Sequence, residues 1–191
     1  HATKYSLNQM RERICGRRNM PKQILKPFFE VDVQLDGDTC ILKPTLEEVQ
    51  SAINRAASHV LKSTKNVQNW NQKDQPEDQR EAFYDWIAKD KEIVKVILLL
   101  TGSIQGTKNN VNKFLESFEK FSWLWKKKID KELADFNKKE PQLEDFEGKL
   151  SAFAESEEEV NTIMIHHQIG ALSLKTNNVK TGLQKWIVLW K

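Results

Sequence analysis

The segment most open to a chemical interpretation is the run Gly102-Ser-Ile-Gln-Gly106-Thr107-Lys108. A phosphate-binding loop of the Walker A type places four residues between its glycines, then a lysine, then Ser or Thr for magnesium. Here three residues separate the glycines, Lys108 comes one position late, and Asn109 follows it. The residues before the run also lack a strand pattern. The spacing therefore argues against nucleotide binding at this loop.

The histidines and cysteines form no recognisable catalytic or metal-binding pattern. His166 and His167 are adjacent, so they point apart on any regular element, and no Cys or carboxylate lies at metal-ligand spacing. Two arginines follow Cys15 and favour a lowered thiol pKa, but no histidine partner is indicated. Cys40 lies in a predicted strand. The sequence predicts no catalytic residue, no metal site and no cofactor.

The composition is typical of a soluble, mostly helical chain. It has 191 residues, of which 30% are charged and 39% hydrophobic, with only 7 glycines and 5 prolines. The longest apolar stretch, Ile93 to Ile104, is well short of the roughly 20 residues that span a bilayer. Two cysteines and the absence of an Asn-x-Ser/Thr sequon favour a reducing, cytoplasmic compartment. Because the chain opens with His1 and ends inside a helical pattern, we expect a piece of a longer protein.

A basic segment opens the chain. Residues 1–27 carry seven Lys and Arg side chains against one Glu, with Tyr5 as the only aromatic residue interleaved among them. Such an excess attracts phosphates or an acidic protein surface through the same Coulomb interaction. No nucleic-acid motif is present, so we favour a solvated helix or a protein contact over a nucleic-acid- or phosphate-binding module. The candidate contact residues are Arg11, Arg13, Arg17 and Arg18.

A β-hairpin and a helix are predicted next. Apolar and polar residues alternate over 29–35, which indicates a strand. Asp36-Gly37 suits a tight turn, so residues 39–42 should return antiparallel, with Val33 facing Cys40. Thr45 and Glu48 then form a capping box that opens a helix ending near Asn66.

The second half of the chain shows helical periodicity throughout. A helix from about Glu81 to Leu100 is apolar on nearly every side and should be the central helix of a bundle. A second helical run extends from Val111 to Phe136 before Pro141 interrupts it. A final helix should begin after Thr176 or Asn177.

The strictest pattern in the chain runs from Leu143 to Met164. Apolar residues recur there at steps of three and four, as in a coiled-coil seam, and only Glu157 interrupts them. About three heptads favour antiparallel packing inside a bundle over a free rod. The predicted packing seam consists of Leu143, Phe146, Leu150, Phe153, Val160 and Met164. Truncating Phe146 or Leu150 to alanine should then cost about 2 to 5 kcal/mol. Glu157 is expected to pair with Lys126 or Lys127.

Six tryptophans mostly fall on apolar helical stripes, where core packing is the common explanation. Trp123 and Trp125 cannot both face the core, so one of them should mark a partner surface. Together with Lys126 and Lys127 they are candidate partner contacts.

The predicted fold is mainly α, with elongated helical bundles and one short β-hairpin near residues 28–43. The predicted division is a basic helix and linker over 1–27, a hairpin plus helix over 28–68, an exposed loop over 69–80, and a helical bundle over 81–191.

Six strings resemble, in order, the tail of an axonemal dynein heavy chain of the outer-arm type. The strings are Phe28-Phe-Glu-Val-Asp-Val-Gln-Leu, Leu46-Glu-Glu-Val-Gln-Ser-Ala-Ile-Asn-Arg-Ala-Ala, Asp90-Lys-Glu-Ile-Val-Lys-Val-Ile-Leu-Leu-Leu-Thr-Gly-Ser-Ile-Gln-Gly, Phe118-Glu-Lys-Phe-Ser-Trp-Leu-Trp-Lys, Pro141-Gln-Leu-Glu-Asp-Phe-Glu and Ile169-Gly-Ala-Leu-Ser-Leu. The resemblance covers roughly residues 24–191. It implies a piece of the stem just ahead of the linker, in a family whose stems are series of helical bundles.

The resemblance also implies a role. In that family the stem joins heavy chains to one another, to intermediate and light chains, and to axonemal docking proteins. The ATP sites and the microtubule-binding region lie elsewhere in the parent motor, so this segment should be a non-catalytic element of the ciliary axoneme that binds neither nucleic acid nor membrane. A stand-alone helical scaffold or adaptor is the alternative.

Overall fold

The computed structural model describes residues 2–16, 27–37, 39–67, 74–76, 78 and 80–191. The fold is mainly helical with a small sheet, which confirms the predicted class. Helices are α1 (Ala2–Cys15), α2 (Leu46–Lys62), α3 (Phe83–Ala88), α4 (Lys91–Thr101), α5 (Gln105–Glu116), α6 (Trp123–Lys126), α7 (Ile129–Asn137), α8 (Leu143–Thr162) and α9 (Asn177–Trp190). Strands are β1 (Phe29–Asp36), β2 (Thr39–Lys43), β3 (His166–Ile169) and β4 (Leu172–Lys175).

The described residues form two compact units. Unit 1 comprises His1–Phe29, Leu46–Lys108 and Gly170–Leu172; unit 2 comprises Glu30–Thr45, Asn109–Ile169 and Ser173–Lys191. Most of the predicted loop over 69–80 lies outside the described residues. Over the described part of the chain, no helix combines the length and apolar character that a membrane crossing requires.

Unit 1 is built on α1, α2 and α4. Leu7 and Ile14 of α1 are buried, as their helical spacing predicts, and α1 packs on α4 and α2. Gly16, with φ of +83°, ends α1 because glycine adopts the left-handed conformation without a Cβ clash. α2 begins directly after Thr45 as predicted.

α2 ends at Lys62, four residues before the predicted end near Asn66. The Ser63 hydroxyl donates to the Val60 carbonyl at 2.7 Å, and the Thr64 hydroxyl donates to the Leu61 carbonyl at 2.6 Å. These side chains offer the last carbonyls an alternative to helical hydrogen bonds, which explains the early end.

Gln50 of α2 fixes the turn between α4 and α5. Its side-chain amide donates to the Leu100 carbonyl at 2.9 Å and accepts from the Ile104 amide at 3.1 Å. This pairing satisfies two backbone groups at the break that Gly102 introduces. The Gln50 side chain therefore ties the turn between α4 and α5 to α2.

The prediction of a single helix over 81–100 is wrong, because this stretch of the chain forms two helices, α3 and α4. Asp90 separates them: its carboxylate accepts from the amides of Glu92 at 2.9 Å and Ile93 at 3.2 Å. That N-cap starts a new helix within the predicted one. The expectation of a central helix, drawn from a stretch that is apolar on nearly every side, is not met either, since Leu98 is 66% exposed.

Unit 2 contains nearly all of the sheet, whose strand order is β2-β1-β4-β3. The predicted hairpin forms, but its register differs, because Val33 faces Leu42 rather than Cys40. Gly37, with φ of +56°, occupies the first turn position, so the turn lies one residue later than predicted. The residue that faces Val33 thus shifts by two positions along β2. Because side chains alternate between the two faces of a strand, an even shift keeps the buried Val33 on the same face as its partner. β3 and β4 complete the four-stranded sheet.

The helical run predicted from Val111 to Phe136 is broken into α5, a 3₁₀ turn over Glu119–Phe121, α6 and α7. Phe118, Phe121 and Leu124 are all buried and stand three residues apart. That spacing matches the three residues per turn of a 3₁₀ helix better than the 3.6 of an α-helix. Burial of these three side chains therefore bends the chain where simple periodicity predicts one rod.

Asp90 provides the first test. Asp90→Ala should lower the free energy of unfolding by about 1 kcal/mol, because two helix-start amides lose their acceptor. Desolvation, the largest single effect, raises the pKa of Asp90, but its hydrogen bonds and Lys4 together leave that pKa lowered. The stabilising effect of the carboxylate should therefore persist at neutral pH and diminish below about pH 4, where the group becomes protonated.

Urea unfolding at pH 7 and in acid measures this effect. Asp90→Asn keeps an acceptor oxygen and should cost less than Asp90→Ala. Lys91→Ala, at an exposed position of the same helix, should change stability by less than about 0.5 kcal/mol. Equal midpoints for Asp90→Ala and Lys91→Ala would show that the cap does not hold α4.

Candidate interaction surfaces

An aromatic cluster joins α6, α8 and α9 in unit 2. The ring of Trp123 lies 5.8 Å from Phe153 and 5.6 Å from Trp190, and Phe153 lies 6.2 Å from Trp190. The Trp190 indole N–H donates to the Leu124 carbonyl at 2.8 Å. Such ring pairs contribute beyond their buried area. We call Trp123, Phe153 and Trp190 the aromatic cluster.

Polar contacts set α8 and α9 side by side in opposite directions. The Gln184 amide donates to Asn161 Oδ1 at 2.9 Å, and Lys180 donates to the Asn161 carbonyl at 2.7 Å. Near the other end of α9, Lys191 forms an ion pair with Glu157. Antiparallel packing of α8 is therefore present, but over only part of its length.

The partner predicted for Glu157 is wrong. Lys126 pairs with Glu119 at 3.1 Å, and Lys127 pairs with Glu132 at 3.5 Å. Both lysines are exposed, and each pairs with a carboxylate that is close to it in the sequence. Neither lysine therefore pairs with Glu157 on α8. As exposed pairs they contribute little to stability.

The predicted packing seam requires correction. Phe153 is 9% exposed and Val160 is fully buried, whereas Leu143 is 74% exposed and Leu150 is 56% exposed. Phe146 and Met164 are exposed as well. The structure therefore buries the seam in the second half of α8 and leaves it open in the first half.

Contacts with α9 account for the buried half. Trp190 of α9 contacts Phe153 in the middle of α8, and Gln184 of α9 donates to Asn161 near the end of α8. Met164 is exposed because α8 ends before it, at Thr162.

α7 contributes to the same open surface. Phe136 meets Phe146 edge-on at 5.1 Å, and Lys149 lies 5.9 Å from the Phe136 ring. Leu133, one turn earlier on α7, is 56% exposed, and α7 has no buried residue. Both residues belong to the helical run predicted from Val111 to Phe136, and its periodicity marks a shared face but not what covers that face.

Trp123 and Trp125 are both partly buried. Trp123 belongs to the aromatic cluster. The indole N–H of Trp125 is buried and has no acceptor among the described residues. A buried donor left unpaired costs roughly 1 to 3 kcal/mol, so Trp125 is the more unusual of the two.

The described part of the basic segment is largely neutralised within unit 1. Lys4 forms ion pairs with Asp90, at 3.5 Å, and with Glu92. Arg11 is half-buried and lies 3.4 Å from Glu12, whereas Arg13 is exposed. Arg17 and Arg18 lie outside the described residues. The partner-contact prediction for these arginines stays a prediction.

The thiols are poor nucleophiles. Burial raises the pKa of Cys40 to about 11, and desolvation also raises the pKa of Cys15, against the expected lowering. The Cys15 thiol instead donates to the Leu99 carbonyl at 3.8 Å. Both groups are therefore protonated near neutral pH.

The other candidate chemical residues have structural contacts. The run from Gly102 to Lys108 follows α4, a helix, and Lys108 lies 3.7 Å from Glu47. The His167 ring stacks on Phe114 at 4.3 Å. Across the described ranges, no three His, Cys, Asp or Glu side chains are placed to hold a metal ion.

Comparison with known proteins identifies relatives over nearly the whole chain. The dynein gamma chain of the flagellar outer arm of Chlamydomonas reinhardtii is 37% identical over 166 residues, or 87% of this chain. The axonemal dynein heavy chain 8 of Mus musculus is 25% identical and covers all of it. This chain is homologous to axonemal dynein heavy chains. No family model matches the sequence.

The dynein homology covers only a small part of each relative. The chain spans 4% of the gamma chain and 5% of the mouse heavy chain. The dynein-1-alpha heavy chain of the flagellar inner arm I1 complex, also from Chlamydomonas reinhardtii, is 29% identical over 71% of the chain. Outer-arm and inner-arm heavy chains therefore both contain a related segment.

The aromatic cluster and the open half of α8 differ sharply in the expected cost of truncation. Phe153→Ala should lower the free energy of unfolding by about 3 kcal/mol, because it leaves a cavity among packed rings. Leu150→Ala, one turn earlier on the same stripe, should cost less than about 1 kcal/mol because that side chain already faces water. Chemical denaturation of both variants measures the difference. Equal costs would mean that the open half of α8 is covered in the isolated chain.

Proposed function

We propose that this chain is a non-catalytic structural segment of the stem of an axonemal dynein heavy chain, just ahead of the linker. The observation that carries the proposal is the homology to a 4% portion of an outer-arm heavy chain across 87% of this chain. The parent would be an ATP-driven microtubule motor of the ciliary axoneme. This segment would transmit force and hold neighbouring subunits.

The packing suits a load-bearing element. α8 and α9 are joined both by interlocked rings and by polar contacts that resist sliding along the helix axes, such as that between Gln184 and Asn161. Close-packed side chains transmit strain because they cannot rearrange without loss of contact. In unit 1, α1 is held to α4 by buried apolar residues and by the Lys4 ion pairs.

The side chains that most resemble a catalytic set are already engaged. Lys108 contacts Glu47, the thiols have raised pKa values, and His167 stacks on Phe114. These contacts support a role for the segment outside the chemical steps of the motor. Its partners would be other heavy chains, intermediate and light chains, and axonemal docking proteins.

The homology favours this proposal over a stand-alone scaffold, because the relatives that match the chain are heavy chains many times its length. The neutralised charges of Lys4 and Arg11 weaken the nucleic-acid alternative. The carboxylates beside these two side chains would repel a phosphate backbone.

Calorimetric titration of the segment with magnesium-ATP should show no saturable heat. The reason is that Lys108, the one lysine near the glycines of the 102–108 run, lies within helix α5 and beside Glu47. Micromolar saturable binding would contradict the proposal and place a nucleotide site in this segment.

A substitution in the full-length heavy chain tests the structural role. Phe153→Asp should disrupt the aromatic cluster and reduce co-purification with the other subunits, while the ATPase activity of each purified motor stays within about twofold. Glu155→Lys, on the exposed side of the same helix, serves as the control and should assemble normally. Loss of ATPase activity with assembly intact would contradict a structural role.

A further inference from the structure

The two ends of α9 are attached to α8 in different ways. The start of α9 carries a polar clamp, which we define as Thr176, Lys180 and Gln184. The Lys180 ammonium donates to the carbonyl of Asn161 at 2.7 Å and to that of Ile163 at 3.2 Å. The Gln184 amide donates to Asn161 Oδ1 at 2.9 Å. Because the last carbonyls of an α-helix have no partner within it, the clamp satisfies groups that α8 leaves unpaired.

Thr176 completes the clamp just before α9 begins. Its hydroxyl donates to the Met164 carbonyl, and its amide donates to the Ile165 carbonyl at 2.9 Å. Thr176 is itself fully buried. Hydrogen bonds hold their partners at narrow distances and angles. The start of α9 therefore cannot move along or away from the end of α8 without breaking several bonds.

The last turn of α9 is attached mainly by side-chain packing. Trp190 completes the aromatic cluster and bonds to the Leu124 carbonyl, but it is only half-buried, whereas Val179 near the start of α9 is fully buried. Lys191 pairs with Glu157, and both side chains are more than a third exposed. An exposed ion pair contributes little to stability. The attachment of α9 to α8 thus weakens from its start toward its end.

The antiparallel direction of the two helices decides how tension acts on them. A sideways pull at Lys191 reaches the aromatic cluster first and the polar clamp last, so the contacts break one after another. A pull along the helix axes from the start of α9 loads the clamp and the packed rings at the same time. Dispersion attraction falls steeply over about 1 Å of separation. Contacts loaded in sequence therefore break at a lower tension than contacts loaded together.

We propose that α9 is a tension-sensitive arm: a sideways pull at Lys191 frees its last turns from α8 and the aromatic cluster, while the polar clamp keeps its start in place. This inference rests on the proposed force-transmitting role and names how unit 2 yields to load. The freed turns rebind when the tension falls, because Trp123 and Phe153 remain stacked on each other.

Single-molecule pulling of the 191-residue chain in an optical trap tests this inference. DNA handles are attached at Lys191 and at Glu155, an exposed residue of α8 close to Glu157, the partner of Lys191. A small reversible extension should precede the main unfolding event. Residues 185–191 span at most about 24 Å when fully extended, which sets the upper limit on that step.

A second pair of handles is the matched control. With one handle at Glu155 and the other at Asn178, which is exposed at the start of α9, the tension runs along the helix axes instead. The small step should then be lost, and the first event should be the main unfolding at a higher tension. A small step at the same tension in both geometries would contradict the inference.

Substitutions separate the aromatic cluster from the polar clamp. Trp190→Ala should lower the tension of the small step, because the cluster loses one of its rings, and Trp190→Phe keeps a ring and should lower it less. Lys180→Met keeps the apolar stem but loses the donors. It should leave the small step unchanged and lower the tension of the event that follows.

Three further results would overturn the inference: no step before the main unfolding, a step that Trp190→Ala leaves unchanged, or a step that Lys180→Met weakens as much as Trp190→Ala does. These results concern only how α9 yields to load. Failure of the proposed structural role shows separately, as normal subunit assembly in the Phe153→Asp motor.

Discussion

The contact between α8 and α9 is the constraint on which unit 2 depends. Where the two helices overlap, Phe153 and Val160 are buried and Trp190 closes the aromatic cluster with Trp123. Where they do not, the same heptad pattern faces water. One helix is thus both a core element and an exposed surface, and the change occurs within one turn, between Leu150 and Phe153. An interior half that is close-packed holds the exposed half in a defined position.

This division suits a segment that joins other chains. A binding surface on a rigid helix loses less conformational entropy on association than a loop would, because its backbone is already ordered. Unit 1 adds polar contacts at helix ends to its buried apolar residues: the Asp90 cap, the Gln50 side chain and the Lys4 ion pairs lie at the ends of α4.

Local pattern was enough to predict the hairpin, the start of α2 and the placement of α8 after Pro141, because alternation, caps and proline act within a few residues. The breaks were not predictable from periodicity. Apolar residues keep a helical spacing on either side of the charged stretch 89–92, and only the Asp90 carboxylate shows that a new helix begins there. The buried residues Phe118, Phe121 and Leu124 follow a period of three, which resembles the helical period of 3.6 over so short a stretch. Above all, the spacing of Leu143 and Leu150 shows that they share a face, and not whether anything covers it.

Hydrogen–deuterium exchange along α8 of this chain tests the central claim most directly. The amides of residues 153–160 should be protected, because α9 packs against this half of α8 and buries Phe153 and Val160. The amides of residues 143–150 should exchange faster, because the apolar side chains of that half face water. Equal protection of the two stretches would contradict the account.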